Sequence, residues 1–268
     1  MERGRGRTAR RAVREQIAGS PVAGFDESGG RINGKTRWIH TAVTNTATTY
    51  LVHDKRGTAA FDELGILPLF TGTAVHDGWK PYKTYDRATH ALCNAHHLRE
   101  LHGVLESNPD GQGWAEAMAR LLTEVWETRK DQSADGASEF TPDVLADCQD
   151  RYEQVIAAGH RANPPPPAGT RKRTRHANLL ARLDTEREQV LRFATDRRVP
   201  FDNNTSEQAI RMAKVQLNVS HCWRTIEGAQ RFLAVRGYLE TAKKHGLGLL
   251  DVLARLFDHR GPWIPTPS

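Results

Sequence analysis

Two aspartates, each closing an apolar run, and one glutamate far along the chain are the residues whose types and placement suggest chemistry. Asp26 lies in Ala23-Gly24-Phe25-Asp26-Glu27-Ser28-Gly29, Asp77 in Thr73-Ala74-Val75-His76-Asp77-Gly78-Trp79, and Glu207 in Asp202-Asn203-Asn204-Thr205-Ser206-Glu207-Gln208. A strand that carries a carboxylate to its tip is one way for an α/β scaffold to build a magnesium site. Hard divalent ions take carboxylate oxygens and keep several waters, so three acids suffice as the protein's share. Two such ions about 4 Å apart support in-line phosphoryl transfer, one at the attacking and one at the leaving oxygen. Each acid also has a structural use. Asp26 could be a turn residue in Asp-x-Ser-Gly, Asp77 precedes Gly78 in the same way, and Glu207 could close a capping box on Asn204.

The elements that would position these acids are legible as changes of period and turn chemistry. Short β-prone runs cover Pro21–Asp26, Gly34–Thr44 and Thr48–His53, which predicts three antiparallel strands in a meander. Asn33-Gly34 between the first two tolerates positive φ at both positions and marks a hairpin turn. A helix is expected over Gly57–Leu64, a strand over Leu69–Asp77 with its acid at the carboxyl end, and a short strand from His90 that turns helical by Ala95. Helices are then expected over Trp114–Lys130, Pro142–Ala158, Asn178–Phe193 and Asn203–Leu217, each with apolar residues on one face, and over Glu227–His245 and Leu247–Phe257. Asn163 and the four prolines after it stop any helix. The fold class expected is α/β with a mixed sheet.

Composition sets the outer bounds. The 268 residues are 38% apolar with a net charge of +6, a mean hydropathy of −0.62 and a pI near 9.4. The basic balance favours a polyanionic partner, nucleic acid first. Cys93, Cys148 and Cys222 cannot make a disulfide framework, which points to a reducing cytosolic setting. No apolar run reaches about 18 residues, so no membrane span is expected. Residues 1–20 are Arg-rich and read as a disordered or DNA-contacting arm, and Arg171-Lys172-Arg173-Thr174-Arg175-His176 as a solvated loop or a phosphate contact. There is no phosphate-binding glycine loop, Gly-x-Ser-x-Gly elbow or dinucleotide fingerprint, which argues against nucleotide hydrolases, serine hydrolases and dehydrogenases.

Three further groups compete for roles. Arg211 and Lys214 follow Glu207 at i+4 and i+7 and are candidates for DNA contact, with a Glu207–Arg211 ion pair the alternative. His90, Cys93, His96, His97 and Cys222 are crowded enough to consider zinc, but their spacing lacks the paired pattern of zinc motifs. Trp223 beside Arg224 could stack on an unpaired base, with core packing the plainer use.

The segments Asp26-Glu27-Ser28-Gly29, Val75-His76-Asp77-Gly78-Trp79-x-Pro81-Tyr82, His90-Ala91-Leu92-Cys93-Asn94-Ala95-His96-x-Leu98-Arg99-Glu100-Leu101, Val199-Pro200-Phe201-Asp202-Asn203-Asn204-x-x-Glu207 and Lys214-Val215-Gln216 resemble transposases of the insertion sequence 66 family over about Pro21–Phe257. The resemblance implies a ribonuclease-H-like core with an Asp-Asp-Glu triad on Asp26, Asp77 and Glu207 and a helical insertion between the second and third acids. It also implies two Mg2+ ions, with Mn2+ as a substitute, DNA ends and a DNA target as partners, a homo-oligomer when active, and a cytoplasmic, nucleoid-associated setting. The corresponding division is a basic arm over 1–20, the first part of the core over 21–107, the insertion over 108–195, the second part with C-terminal helices over 196–258, and a tail over 259–268. Family members carry a further amino-terminal region, so the chain reads as a truncated copy. A non-catalytic remnant that binds DNA non-specifically is the alternative function. Ser28-Gly29-Gly30 departs from the family's usual Thr-Gly followed by a larger residue.

Overall fold

In the computed structural model, which describes residues 2–108, 111–134, 140–164, 174–220, 223–258 and 261–265, the chain runs α1 (Glu2–Ala18), β1 (Val22–Ile32), β2 (Lys35–Val43), β3 (Thr48–His53), α2 (Thr58–Leu64), β4 (Thr73–His76), β5 (Thr89–Leu92), α3 (Asn94–Ser107), α4 (Gly113–Ala134), α5 (Pro142–Ala162), α6 (Arg175–Thr185), α7 (Arg187–Val190), α8 (Arg192–Thr195), α9 (Asn204–Ser220), α10 (Ile226–Lys244) and α11 (Leu249–Phe257). One five-stranded sheet has the order β3-β2-β1-β4-β5. The first three strands form the expected antiparallel meander, and β4 joins β1 in parallel. Asn33 and Gly34 take φ of 49° and 72°, as a two-residue hairpin turn demands.

The chain divides into two compact units, one of Met1–His90 with Asn203–Ser268 and one of Ala91–Asp202. In the first, strand alternation sorts the sheet into two apolar faces. Ala23 and Phe25 of β1, Ala42, Leu51 and Ala74 pack with Phe61, Leu64, Phe70 and Tyr82. Ile32, Ile39, Tyr50 and Val52 point the other way and pack with Ala213 of α9 and Ala229 and Leu233 of α10. Burying a side chain of this size contributes about 1.5–3 kcal/mol. A helix therefore lies on each side of β1.

Three sequence expectations differ here. Residues Glu2–Ala18, read as a disordered arm, form α1. Its Ala9, Val13 and Ile17 fall four residues apart and are all buried, so one narrow apolar stripe suffices where overall composition suggested none. β1 does not end at Asp26 but continues to Ile32, because β2 supplies a partner for every residue from Gly24 on. The single helix expected over Asn178–Phe193 is broken at Glu186 and Leu191 into α6, α7 and α8.

Among the described residues, the regular elements of the second unit are helices apart from the end of β5. Tyr152 of α5 donates from its hydroxyl to the Leu183 carbonyl of α6 at 2.9 Å. Gly159 lets α5 approach α6 so closely that a β-carbon there would lie 2.5 Å from a Leu180 methyl. Side-chain hydroxyls of Thr141 and Thr174 cap the starts of α5 and α6, as expected of N-cap threonines. Within the basic run Arg171–His176, residues 171–173 lie outside the described residues, and Arg175 and His176 open α6. Among the described residues no helix is long and apolar enough to cross a membrane.

Candidate active site

Asp26 sits inside β1 opposite Thr41 of β2, so the turn reading of this residue is corrected: it is held by a strand ladder on one side. On the other side β1 pairs with β4 through Val22–Thr73, Ala23–Ala74 and Gly24–Val75. Carrying that parallel register two residues further brings Asp26 level with Asp77, just past the end of β4. Alternation turns Gly24, Asp26 and Ser28 toward the α9 face, while Phe25 and Glu27 face α2 and Tyr82.

Asp77 occupies a tight turn. Its Oδ1 accepts the Trp79 amide at 2.9 Å, and Gly78 takes φ of 84°. The local turn leaves the second oxygen free of that hydrogen bond, and Oδ2 lies 3.7 Å from Arg56 Nη2.

Glu207 comes from the first turn of α9, whose start is seated on β1. Asn203 donates from Nδ2 to the Phe25 carbonyl at 2.8 Å, and its own carbonyl accepts the Ser206 and Glu207 amides at 3.1 Å. Asn203 is thus the helix cap, and Asn204, expected in that role, already lies within the helix. Gly24 makes this seating feasible. A β-carbon on it would stand 2.3 Å from Ser206 Oγ and 2.5 Å from Asn203 Oδ1, well inside contact distance. Further along α9, Lys214 Nζ donates to Ser28 Oγ at 3.0 Å, so the helix tracks the Asp26 face of the strand. Arg211 is exposed.

The electrostatics of Asp26 register its acidic neighbours. The Asp26 carboxyl is pushed up to about 7, first by burial, then by the charge of Glu27, and further by the charges of Asp77 and Glu207, against one opposing hydrogen bond from the Glu27 amide. Burial and acidic neighbours both disfavour a carboxylate. The three acids named in the sequence offer oxygen donors only, the kind that suits Mg2+ or Mn2+.

A second group, missed in the sequence, lies behind the acids. Glu27, whose side chain is 1% exposed, accepts Arg56 Nε at 2.9 Å and Nη2 at 2.8 Å, and the Tyr82 hydroxyl donates to its other oxygen. The Arg56 guanidinium lies 4.0 Å from the Trp79 ring centre and 5.1 Å from that of Trp38. The available signal was alternation itself: an acid next to Asp26 in a buried strand must point into the core and find a cation there. Which cation was hidden by a separation of 29 residues.

Two of the zinc candidates, His90 and His97, have other partners. His90 meets His76 at 3.0 Å and the Tyr85 carbonyl at 3.2 Å. In the helical unit His97 meets Asn94 Oδ1 at 3.0 Å. Cys222 lies outside the described residues. Trp223 is buried, with its ring 5.7 Å from that of Phe232, and its carbonyl accepts the Asn33 amide, so packing is its use here.

Comparison with known proteins agrees with the motifs. The family model described as "Transposase IS66 family" matches residues 7–231. No curated protein and no solved structure matches the chain. With most of its length matched by that model, the chain belongs to the IS66 family of transposases.

Proposed function

We propose that the first unit is the catalytic core of an Asp-Asp-Glu DNA transposase, a metal-dependent polynucleotidyl transferase in which Asp26, Asp77 and Glu207 hold a pair of Mg2+ ions. The observation that carries this reading is that acids from β1, the β4 turn and α9 load their charge onto one carboxyl, that of Asp26. The family match supplies the substrate class, DNA. A three-strand meander followed by a strand parallel to its first member supports a ribonuclease-H-like description of the sheet.

When bound, the divalent cations activate the attacking oxygen and stabilise the leaving oxygen of an in-line displacement. The chain's own part is to hold three carboxylates where repulsion would otherwise separate them. The β1 ladder fixes Asp26, the Asx turn onto Trp79 fixes Asp77, and the Asn203 anchor fixes the turn that bears Glu207. Such pre-set geometry lets one site serve two successive steps, cleavage at an element end and attack of the freed 3′ hydroxyl on target DNA, because only the nucleophile changes. The exposed Arg211 on the same helix is suited to the DNA backbone, and Lys214 is suited to steadying the Ser28 end of β1. The reading includes a homo-oligomer acting on DNA in the cytoplasm.

The test is Mg2+-dependent nicking of a duplex carrying the element's end sequence. Cleavage by the unsubstituted chain and its loss in Asp77→Ala are expected. A folded protein that binds every duplex equally and weakly, with steep salt dependence and no cleavage under Mg2+ or Mn2+, would instead identify a non-catalytic DNA-binding remnant.

A further inference from the structure

The buried Glu27 pairs with the partly exposed Arg56 directly behind the proposed metal ligands, and the geometry is asymmetric. Both contacts from Arg56 to Glu27 Oε1 are of hydrogen-bond length, 2.9 Å and 2.8 Å. The contact from the same Nη2 to Asp77 Oδ2 is 3.7 Å, longer than a charge-assisted hydrogen bond of about 2.7–2.9 Å. Arg56 is therefore drawn toward the acid that does no metal chemistry in this reading and held just short of one that does. Trp79 and Trp38 border the guanidinium, and the Tyr82 hydroxyl holds the other Glu27 oxygen, so the anchoring carboxylate is itself fixed.

We propose that Glu27 is a positioning residue that tethers Arg56 and keeps its guanidinium from occupying Asp77, leaving that carboxylate available to a divalent cation. The inference rests on the assignment of Asp77 as a metal ligand. With Glu27 neutral, Asp77 is the carboxylate that remains in contact with Arg56, and a movement of under about 1 Å would give it a full charge-assisted hydrogen bond. A guanidinium and a metal ion would then compete for one oxygen. The neighbouring charge of Glu27 also pushes the Asp26 carboxyl up, so a purely electrostatic view predicts the opposite result, that neutralising Glu27 improves metal binding. The two views differ in sign.

Mn2+ titration of the full chain, followed by the loss of the free-ion electron paramagnetic resonance signal, separates them without reference to activity. Glu27→Gln is expected to weaken Mn2+ binding about tenfold or more, the range typical of residues that orient ligands from behind. Adding Arg56→Gln to the same chain is expected to restore it, which a merely structural role for Glu27 would not produce. Unchanged or tighter binding by Glu27→Gln, or no recovery in the double variant, overturns the tether. Absence of Mn2+ binding in the unsubstituted protein overturns the metal-site assignment along with it. Should thermal melts show Glu27→Gln unfolded, Arg56→Gln alone decides: binding at least as tight as in the unsubstituted chain is expected, and weaker binding overturns the proposal.

Discussion

The two faces of β1 carry adjacent acids that burial raises alike but that meet different partners. Glu27 points toward α2 and Tyr82 and has a guanidinium built in at 2.8 Å. Asp26, one residue earlier, points toward α9, and its carboxyl is pushed up to about 7, first by burial, then by the charge of Glu27 and further by those of Asp77 and Glu207. A buried acid whose cation is part of the chain makes a structural pair, whereas one surrounded by other acids leaves a place for a cation from outside. The difference explains why Glu27 reads as architecture and Asp26 as a proposed metal ligand, although the two are neighbours on one strand.

Breaking the satisfied face has the largest expected effect on stability. Arg56→Ala leaves Glu27 buried without its cation, and removing one partner of such a pair costs about 3 kcal/mol or more. Chemical denaturation should register that loss with no change in the dependence on denaturant slope, and a shift below 1 kcal/mol would mean the pair is solvated.

Titration sharpens the contrast from the other face. Asp26 binds its proton more tightly folded than unfolded, since its ordinary value of 3.8 is raised to about 7. Without divalent ions, this group's contribution is complete below about pH 4 and is lost as pH rises through about 7. Thermal melts of Asp26→Asn should lack that component. Saturating Mg2+ should stabilise the unsubstituted protein more at pH 8 than at pH 5, because protonated Asp26 is a poor ligand.

A smaller effect tests how α9 is docked. Gly24→Ala would force its β-carbon to 2.3 Å from Ser206 Oγ, and relief by moving the helix start should cost about 1–3 kcal/mol. Because that start bears Glu207, DNA cleavage should fall by more than the stability change alone explains. Equal losses would detach the helix position from the site.

The parts of this arrangement that were legible in the sequence are the ones governed by local chemistry. Asn33-Gly34 fixed the first hairpin because both residues adopt positive φ, and the apolar runs marked all three meander strands. The passage of β1 through Ser28-Gly29-Gly30 was not legible, since these residues favour a turn and are overridden by pairing with Trp38, Arg37 and Ile39 across the ladder. α1 was missed because its stripe consists of three small or medium residues in an arginine-rich segment. The candidate acids were visible as a pattern of strand ends and a late helix, but their convergence depends on Gly24 and Asn203, whose contact is set by tertiary packing. Arg56 carried no local signal at all. It is distant in sequence from both acids it touches, and a lone arginine after a strand ordinarily reads as surface charge.

The central claim is that Asp26, Asp77 and Glu207 together hold divalent cations. Crystals soaked in Mn2+ and measured at the manganese absorption edge test it most directly. The account predicts anomalous peaks, about 4 Å apart if both ions bind, bounded by carboxylate oxygens of all three residues. Ordered manganese elsewhere on the chain, with these three side chains directed apart and no peak between them, would contradict it.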